Sequence, residues 1–310
     1  MAKITSQTLF IINPRAGNGA VARKMAEIKM MARKFFTDHQ MLITTGPGKA
    51  TEYARQALEA GILQVICIGG DGTLNEVVNG LMSLKVEKAR RPHLGYLPLG
   101  TGGDLAKTLG ITTNIENTLR NISEGSGKWL DVGLATFTGH DRKTTSRYFI
   151  NVLSLALGGE VAGRVNKSGK SLGGFITFLL ATLAALLTFK KPLIRLRIDG
   201  RTDKQITCWH VAIANGQYQG GGMHIAPEAK VDDGRLRVTV VGDLSLPEVF
   251  LNLPTLYNGG IYSVEKVSRF TGRNIEAESS SPVLLDLDGE QVGRLPVKAE
   301  IFPLALWMVY

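Results

Sequence analysis

Val65-Ile66-Cys67-Ile68-Gly69-Gly70-Asp71-Gly72-Thr73 is the stretch on which the fold turns. Its apolar start reads as a short buried strand, and Leu74 to Met82 reads as a helix. The glycines fall at the junction. Lacking Cβ atoms, they let a backbone approach a phosphate closely, and the free N–H groups at a helix start favour an anion. Asp71 is the odd member, because a carboxylate repels phosphate. It suits a Mg²⁺ partner or a base for an incoming hydroxyl. The plainer alternative is a glycine-rich turn with Asp71 or Thr73 as N-cap.

Outward from this junction, strand and helix signals alternate. Thr8 to Ile12 is an apolar run ended by Asn13-Pro14, and a helical stretch follows over about 20–36. Met41 to Thr44 is a second strand, and a helix over about 50–60 carries Ala50, Ala54, Ala57 and Leu58 on one face. Leu94 to Leu97 is a fourth strand and Asp104 to Leu109 a fourth helix. Such alternation predicts a parallel sheet with helices on both faces, whose ligands lie beyond the carboxyl ends of the strands. A second glycine turn, Pro98-Leu99-Gly100-Thr101-Gly102-Gly103-Asp104, falls at that end, with Asp104 as an N-cap or a metal-linked carboxylate. A third, Asn13-Pro14-Arg15-Ala16-Gly17-Asn18-Gly19, places Arg15 to meet a phosphate. The pair of loops on adjacent strand–helix units is far more specific than either alone.

Beyond about residue 130 strand-like runs dominate: 148–155, 193–198, 207–214, 235–241, 283–287 and 297–302. Asp199-Gly200, Asp233-Gly234 and Asp288-Gly289 punctuate them as turns. The expectation is a mainly antiparallel second domain, a β-sandwich. Phe175–Phe189 carries no charge. It is shorter than the ~20 residues a bilayer crossing needs, so it reads as a buried helix or a lipid-facing one.

The 310 residues are 44% hydrophobic and 20% charged, which excludes a disordered chain, a collagen and a coiled coil. Lys and Arg number 36 against 27 Asp and Glu, a net charge of +9 that suits an anionic partner. No aromatic-lined motif accompanies it, which argues against nucleic acid. Gly163 to Ser171 approaches a Walker A loop but has one residue too many. The five histidines, at 39, 93, 140, 210 and 224, show no metal-binding spacing. Cys67 and Cys208 lie in apolar runs and read as buried free thiols. The chain opens Met-Ala-Lys with no visible secretory signal, so a cytoplasmic, reducing setting is expected.

Four motifs in order, GGDGTLNEVVNGL, PLGTGGDLAKTLGI, GGGMHIAPEAKVDDGRLRV and LDLDGE, resemble the diacylglycerol kinase catalytic family, the soluble bacterial lipid kinases related to sphingosine and ceramide kinases. The resemblance implies an α/β nucleotide domain like those of NAD and diacylglycerol kinases over 1–130. It implies a β-sandwich lipid domain over 131–295, a strand over 296–310 returning to the first domain, and ATP between the domains. It places Thr44, Gly69, Gly70, Asp71, Gly72, Thr73, Leu74, Asn75, Gly100 and Thr101 at ATP, with Asn13 and Arg15 beside them. Glu290 matches a proton acceptor, with Asp288 next to it. Asp71 matches a base or Mg²⁺ partner, and Asp104 a Mg²⁺–water network. Asp233, with the backbone carbonyls of Lys230 and Arg235, matches a structural metal site. The activity implied is ATP-dependent phosphorylation of a lipid hydroxyl, as in diacylglycerol, ceramide or a sphingoid base, by an enzyme held peripherally on the inner face of an anionic membrane; a homodimer is a candidate assembly. The alternatives are an NAD kinase-like enzyme and a non-catalytic nucleotide- or lipid-binding homologue. One departure stands out: the family usually has Gly-Thr-x-Asn-Asp, and Gly103 occupies the Asn position.

Overall fold

Leu9 to Ile12, Val65 to Ile68 and Leu94 to Leu97 are apolar runs with only Gly95 interrupting, as a sheet covered on both faces requires. In the computed structural model, which describes residues 7–168 and 185–310, they form such a sheet. The strands are β1 (Thr8–Ile12), β2 (His39–Ile43), β3 (Gln64–Gly69) and β4 (His93–Pro98), ordered β2-β1-β3-β4 and all parallel. Phe10, Ile12, Ile66, Ile68 and Leu97 project into one core. Helices α2 (Met25–Phe35) and α6 (Ile115–Glu124) close it with Ile28, Met31, Leu119 and Ile122. Their sheet neighbours Leu9, Ile11, Val65 and Cys67 are fully buried as well. Helices α3 (Lys49–Glu59) and α4 (Asp71–Leu81) pack together, and α3 contacts β1.

The helix expected over 20–36 begins differently. Gly17, Asn18 and Gly19 are left-handed, at φ 59°, 52° and 81°, so the segment α1 (Ala16–Arg23) opens as a turn and only then becomes helical. Helix α6 is absent from the sequence reading. Asn114 caps it by accepting the Asn117 N–H at 2.9 Å. Helix α5 (Asp104–Leu109) follows β4 directly.

The chain divides into two compact units, 1–130 with 304–310, and 131–303. The sequence boundary at 296 falls inside an unbroken strand, β15 (Glu290–Val309), whose Met308 and Val309 pair in parallel with Leu94 and Gly95 of β4. The remaining strands are β5 (Gly127–Gly139), β6 (Thr144–Phe149), β7 (Val152–Ala156), β8 (Leu193–Ile198), β9 (Thr202–Thr207), β10 (His210–Ala214), β11 (Leu236–Val241), β12 (Val267–Gly272), β13 (Asn274–Glu278) and β14 (Leu284–Leu287). The second unit is antiparallel throughout. One run is ordered β12-β11-β10-β7-β14-β15; another joins β9-β8-β13 to the same β15. Phe149, Leu153, Leu155, Ile194, Leu196, Val238, Ile275 and Leu285 fill its core. Asp288-Gly289 closes a two-residue hairpin, and Asp199-Gly200 lies in a three-residue one with Arg201; φ is positive at both residues of each pair. Most of the uncharged Phe175–Phe189 run and the end of the Walker-like stretch lie outside the described residues. Among the described residues no helix is long and apolar enough to cross a membrane.

Candidate active site

Strand order β2-β1-β3-β4 reverses direction between β1 and β3, where an open parallel sheet leaves a crevice beyond its carboxyl ends. The three glycine loops, in chain order 13–19, 69–73 and 98–104, meet there. Asn13 Nδ2 donates to Thr73 Oγ1 at 2.9 Å, joining the first loop to the second. A Cβ on Gly17 would lie 2.4 Å from the Leu99 carbonyl oxygen, so the first loop presses on the end of β4. A Cβ on Gly100 would lie 2.4 Å from the Gly70 Cα, so the second and third loops touch backbone to backbone. Thr44, just past β2, donates its N–H to Ile12 O at 2.8 Å and stands beside them. Arg15 and Thr101 are exposed.

Asp71 and Asp104 are not N-caps. Helix α4 begins at Asp71 after Gly70, and α5 begins at Asp104 after Gly103; neither start has a side-chain cap. Instead, Asp71 Oδ2 accepts the N–H of Gly103 at 2.8 Å and of Asp104 at 3.4 Å. Asp104 is buried, and Lys107 Nζ lies 3.5 Å from its Oδ1. Tyr96, buried beneath them, has its phenol pushed well above the usual range by burial first and by Asp71 next. It stays neutral under the acidic pair. Leu74 and Asn75 are buried. Glu76 receives the N–H groups of Gly48 and Ala50 at 2.8 and 3.1 Å and so anchors the start of α3.

In the second unit the Asp288-Gly289-Glu290 turn divides its labour. Asp288 is buried, and its carboxylate accepts the N–H groups of Ile150, Asn151 and Val152 at 3.0, 3.1 and 2.9 Å. It holds the turn in place. Glu290 is two-fifths exposed, and Arg147 Nη2 lies 2.7 Å from its Oε2. Asp286, at a bulge two residues before Asp288, accepts from Ser154 Oγ and Gln219 Nε2, each at 3.2 Å. Burial pushes its carboxyl up to about 7, and Asp288 adds to the rise. Asp233 spends one oxygen on the Arg235 N–H at 3.0 Å and the other on Arg237 Nη2 at 2.6 Å. Its surroundings are thus an ion pair and a turn, with Lys230 and Arg235 flanking in sequence.

Two family models divide the chain: a diacylglycerol kinase catalytic domain over residues 7–135 and a YegS C-terminal NAD kinase beta sandwich-like domain over 152–310. A probable lipid kinase YegS-like from Chromohalobacter salexigens is 34% identical over 269 residues, spanning 85% of this chain and 81% of its own. A diacylglycerol kinase from Staphylococcus saprophyticus is 30% identical over 291 residues, 92% of this chain and 89% of its own. The chain belongs to the diacylglycerol kinase family. It is a lipid kinase by that membership. A candidate diacylglycerol kinase of known structure from Bacillus anthracis superposes with a TM-score of 0.77 at 27% identity, covering 100% of this chain and 97% of that one. A yeast NADH kinase shares the fold alone, with a TM-score of 0.53 at 13% identity over 100% of this chain and 88% of its own.

Within this diacylglycerol kinase family member the Gly103 departure has a backbone cause. Gly103 sits at φ 62°, ψ 36°, the left-handed region that glycine and asparagine both enter readily. A Cβ there would meet only Ala106 Cβ, at 4.0 Å, so the kinase keeps the loop shape and forgoes an amide. Kinases of this kind imply a divalent ion. A Cβ on Gly102 would lie 2.7 Å from Asp71 Oδ2 and 3.7 Å from Asp104 Oδ2, so both carboxylates converge across one glycine. Two carboxylates completed by substrate phosphates fit the way Mg²⁺ is held. No group of three or more His, Cys, Asp or Glu side chains gathers among the described residues. Arg147, Tyr96 and Glu76 escaped the sequence reading. Arg147 and Tyr96 sit in strands without a motif, and Glu76 was read only as part of the family pattern.

Proposed function

We propose that the protein transfers the γ-phosphoryl group of ATP to a hydroxyl of a membrane lipid. The observation that supports this most is the meeting of three glycine loops at the sheet's switch point, with Asp71 bridging the second and third. Phosphoryl transfer needs positioning and charge neutralisation more than covalent chemistry. Backbone N–H groups of the Gly69–Thr73 and Gly100–Thr101 loops bind the phosphates, with Arg15 and Asn13 at their edge and Thr44 beside the nucleotide. Asp71 and Asp104 would hold Mg²⁺, which would offset the charge that develops on the transferred group. Glu290 accepts the hydroxyl proton. Arg147 keeps the Glu290 carboxylate turned to one side, and Asp288 fixes the turn that carries it. The relatives' names make diacylglycerol the first acceptor to test. The reading carries with it peripheral contact with an anionic bilayer on the side where ATP is found.

The test is transfer of radiolabelled phosphate from ATP to diacylglycerol, ceramide or sphingosine in mixed micelles. Labelled lipid is expected with one of the three and is lost with Asp71→Ala and with Glu290→Ala. Absence of transfer to all three across a range of Mg²⁺, with tight ATP binding retained, would overturn it.

A further inference from the structure

The second unit also carries a surface concavity of about 680 Å³ that phosphoryl transfer does not use. Arginines from separate elements converge on it. Arg201 follows the β8–β9 turn, Arg273 lies in the turn between β12 and β13, and Arg235 precedes β11. Asp199 Oδ1 accepts the N–H groups of Arg273 and Asn274 at 2.9 and 2.8 Å, which clamps the first two turns together. Leu236 pairs with Gly272, so Arg235 emerges next to Arg273. Lys298 of β15 completes the rim.

The neighbouring strands show how this protein ordinarily treats such charges. Arg195 lies 2.6 Å from Asp203, and Arg197 lies 2.9 Å from Glu278. Arg201, Arg235 and Arg273 make no ion pair among the described residues. The two carboxylates of the rim are occupied: Asp199 on backbone amides, Glu276 at 3.6 Å from Arg197. Three guanidinium groups therefore line one hollow without an ion-pair partner among the described residues, whereas Arg195 and Arg197 on the neighbouring strand are paired.

We infer that this hollow binds a phosphate-bearing anion. Guanidinium forks match phosphate oxygens two at a time, and several from independent turns surround such a group better than a single strand could. The ligand chemistry is shared by an anionic phospholipid headgroup and a small soluble phosphate compound. The site does not depend on phosphoryl transfer, and its test contains neither ATP nor a lipid acceptor.

Two arms separate the sources. One is co-sedimentation with phosphatidylcholine vesicles with and without phosphatidic acid. The other is calorimetric titration with inorganic phosphate and glycerol 3-phosphate. The Arg201→Ser/Arg273→Ser protein is expected to lose about tenfold or more in affinity in one arm, and the arm identifies the source. Arg195→Ser/Arg197→Ser removes equal charge from paired positions and is expected to bind like the unaltered protein. Arg201→Lys/Arg273→Lys keeps the charge, loses the fork and is expected to fall between; it also stands in if the serine variant fails to fold by circular dichroism. Binding by the unaltered protein in neither arm overturns the inference. So does equal loss in the Arg195/Arg197 control, which would mean diffuse attraction.

Discussion

Asp71 Oδ2 holds the backbone N–H of Gly103 at 2.8 Å, so a carboxylate on one glycine loop sets the backbone of the next. An amide oxygen can take over that bond but not the charge. Asp71→Asn is therefore expected to melt within about 1 kcal/mol of the unaltered protein while lipid phosphorylation drops roughly 100-fold or more. Thermal melts beside the radiolabel assay check this. Full activity in the Asn variant would reduce Asp71 to an architectural role.

Gly100 and Gly103 make opposite predictions. A methyl on Gly100 collides with the Gly70 Cα at 2.4 Å, backbone against backbone, where nothing flexible can yield. Gly100→Ala should cost about 1–3 kcal/mol and weaken ATP binding. Gly103→Asn meets open space in a left-handed position that Asn tolerates, and should stay within about 0.5 kcal/mol. Denaturant midpoints for the pair settle it; equal losses would mean the loops do not pack this way.

Glu290 and Asp288 are two residues apart with different duties. Glu290→Gln is expected to reduce turnover by roughly 10²–10⁴ with little change in melting temperature. Asp288→Ala leaves three amide N–H groups without their acceptor and should destabilise by about 3 kcal/mol or more. Should Glu290→Gln unfold the protein, or Asp288→Ala leave its melt unmoved, these duties have been exchanged.

The buried Asp286 makes stability depend on pH in an unusual direction. Its carboxyl is pushed up to about 7, whereas an unfolded Asp titrates near ~4. Between those values the folded state binds the extra proton, so this group's contribution falls as pH rises and is level above about 7. His210, pushed down to about 4 by burial, acts oppositely below 6.5. The two slopes offset each other in the unaltered protein. Asp286→Asn removes one, so its stability relative to the unaltered protein should climb from pH ~4 to ~7, by about 2–4 kcal/mol in full. Parallel melting curves across that range would refute the placement.

The first unit was legible because its strands are uninterrupted and its breaks are glycines; β1, β3, β4 and all three loops follow from that. The second was legible mainly where Asp-Gly marks a turn, as at Asp199 and Asp288. Strand β5 went unseen because Asp131 and Gly133 interrupt its apolar run, and β12 and β13 because Ser268, Arg269, Glu276 and Glu278 give them edge-like polarity. Helix α6 did carry a signal, Asn114 before an amphipathic run. For the site, motif residues were visible as types but not as partners. Only the folded turn separates Asp288, consumed by amides, from Glu290, tied to Arg147.

The pairing of Met308 and Val309 with Leu94 and Gly95 bears on how the protein is made. During synthesis the nucleotide-type sheet emerges early, yet the outer margin of β4 waits for residues translated long after it. Until they arrive, that margin is an open ladder of unpaired backbone groups, the kind of edge that recruits other chains. Nascent polypeptides stalled before residue 308 are thus the forms most exposed to aggregation and most dependent on a chaperone.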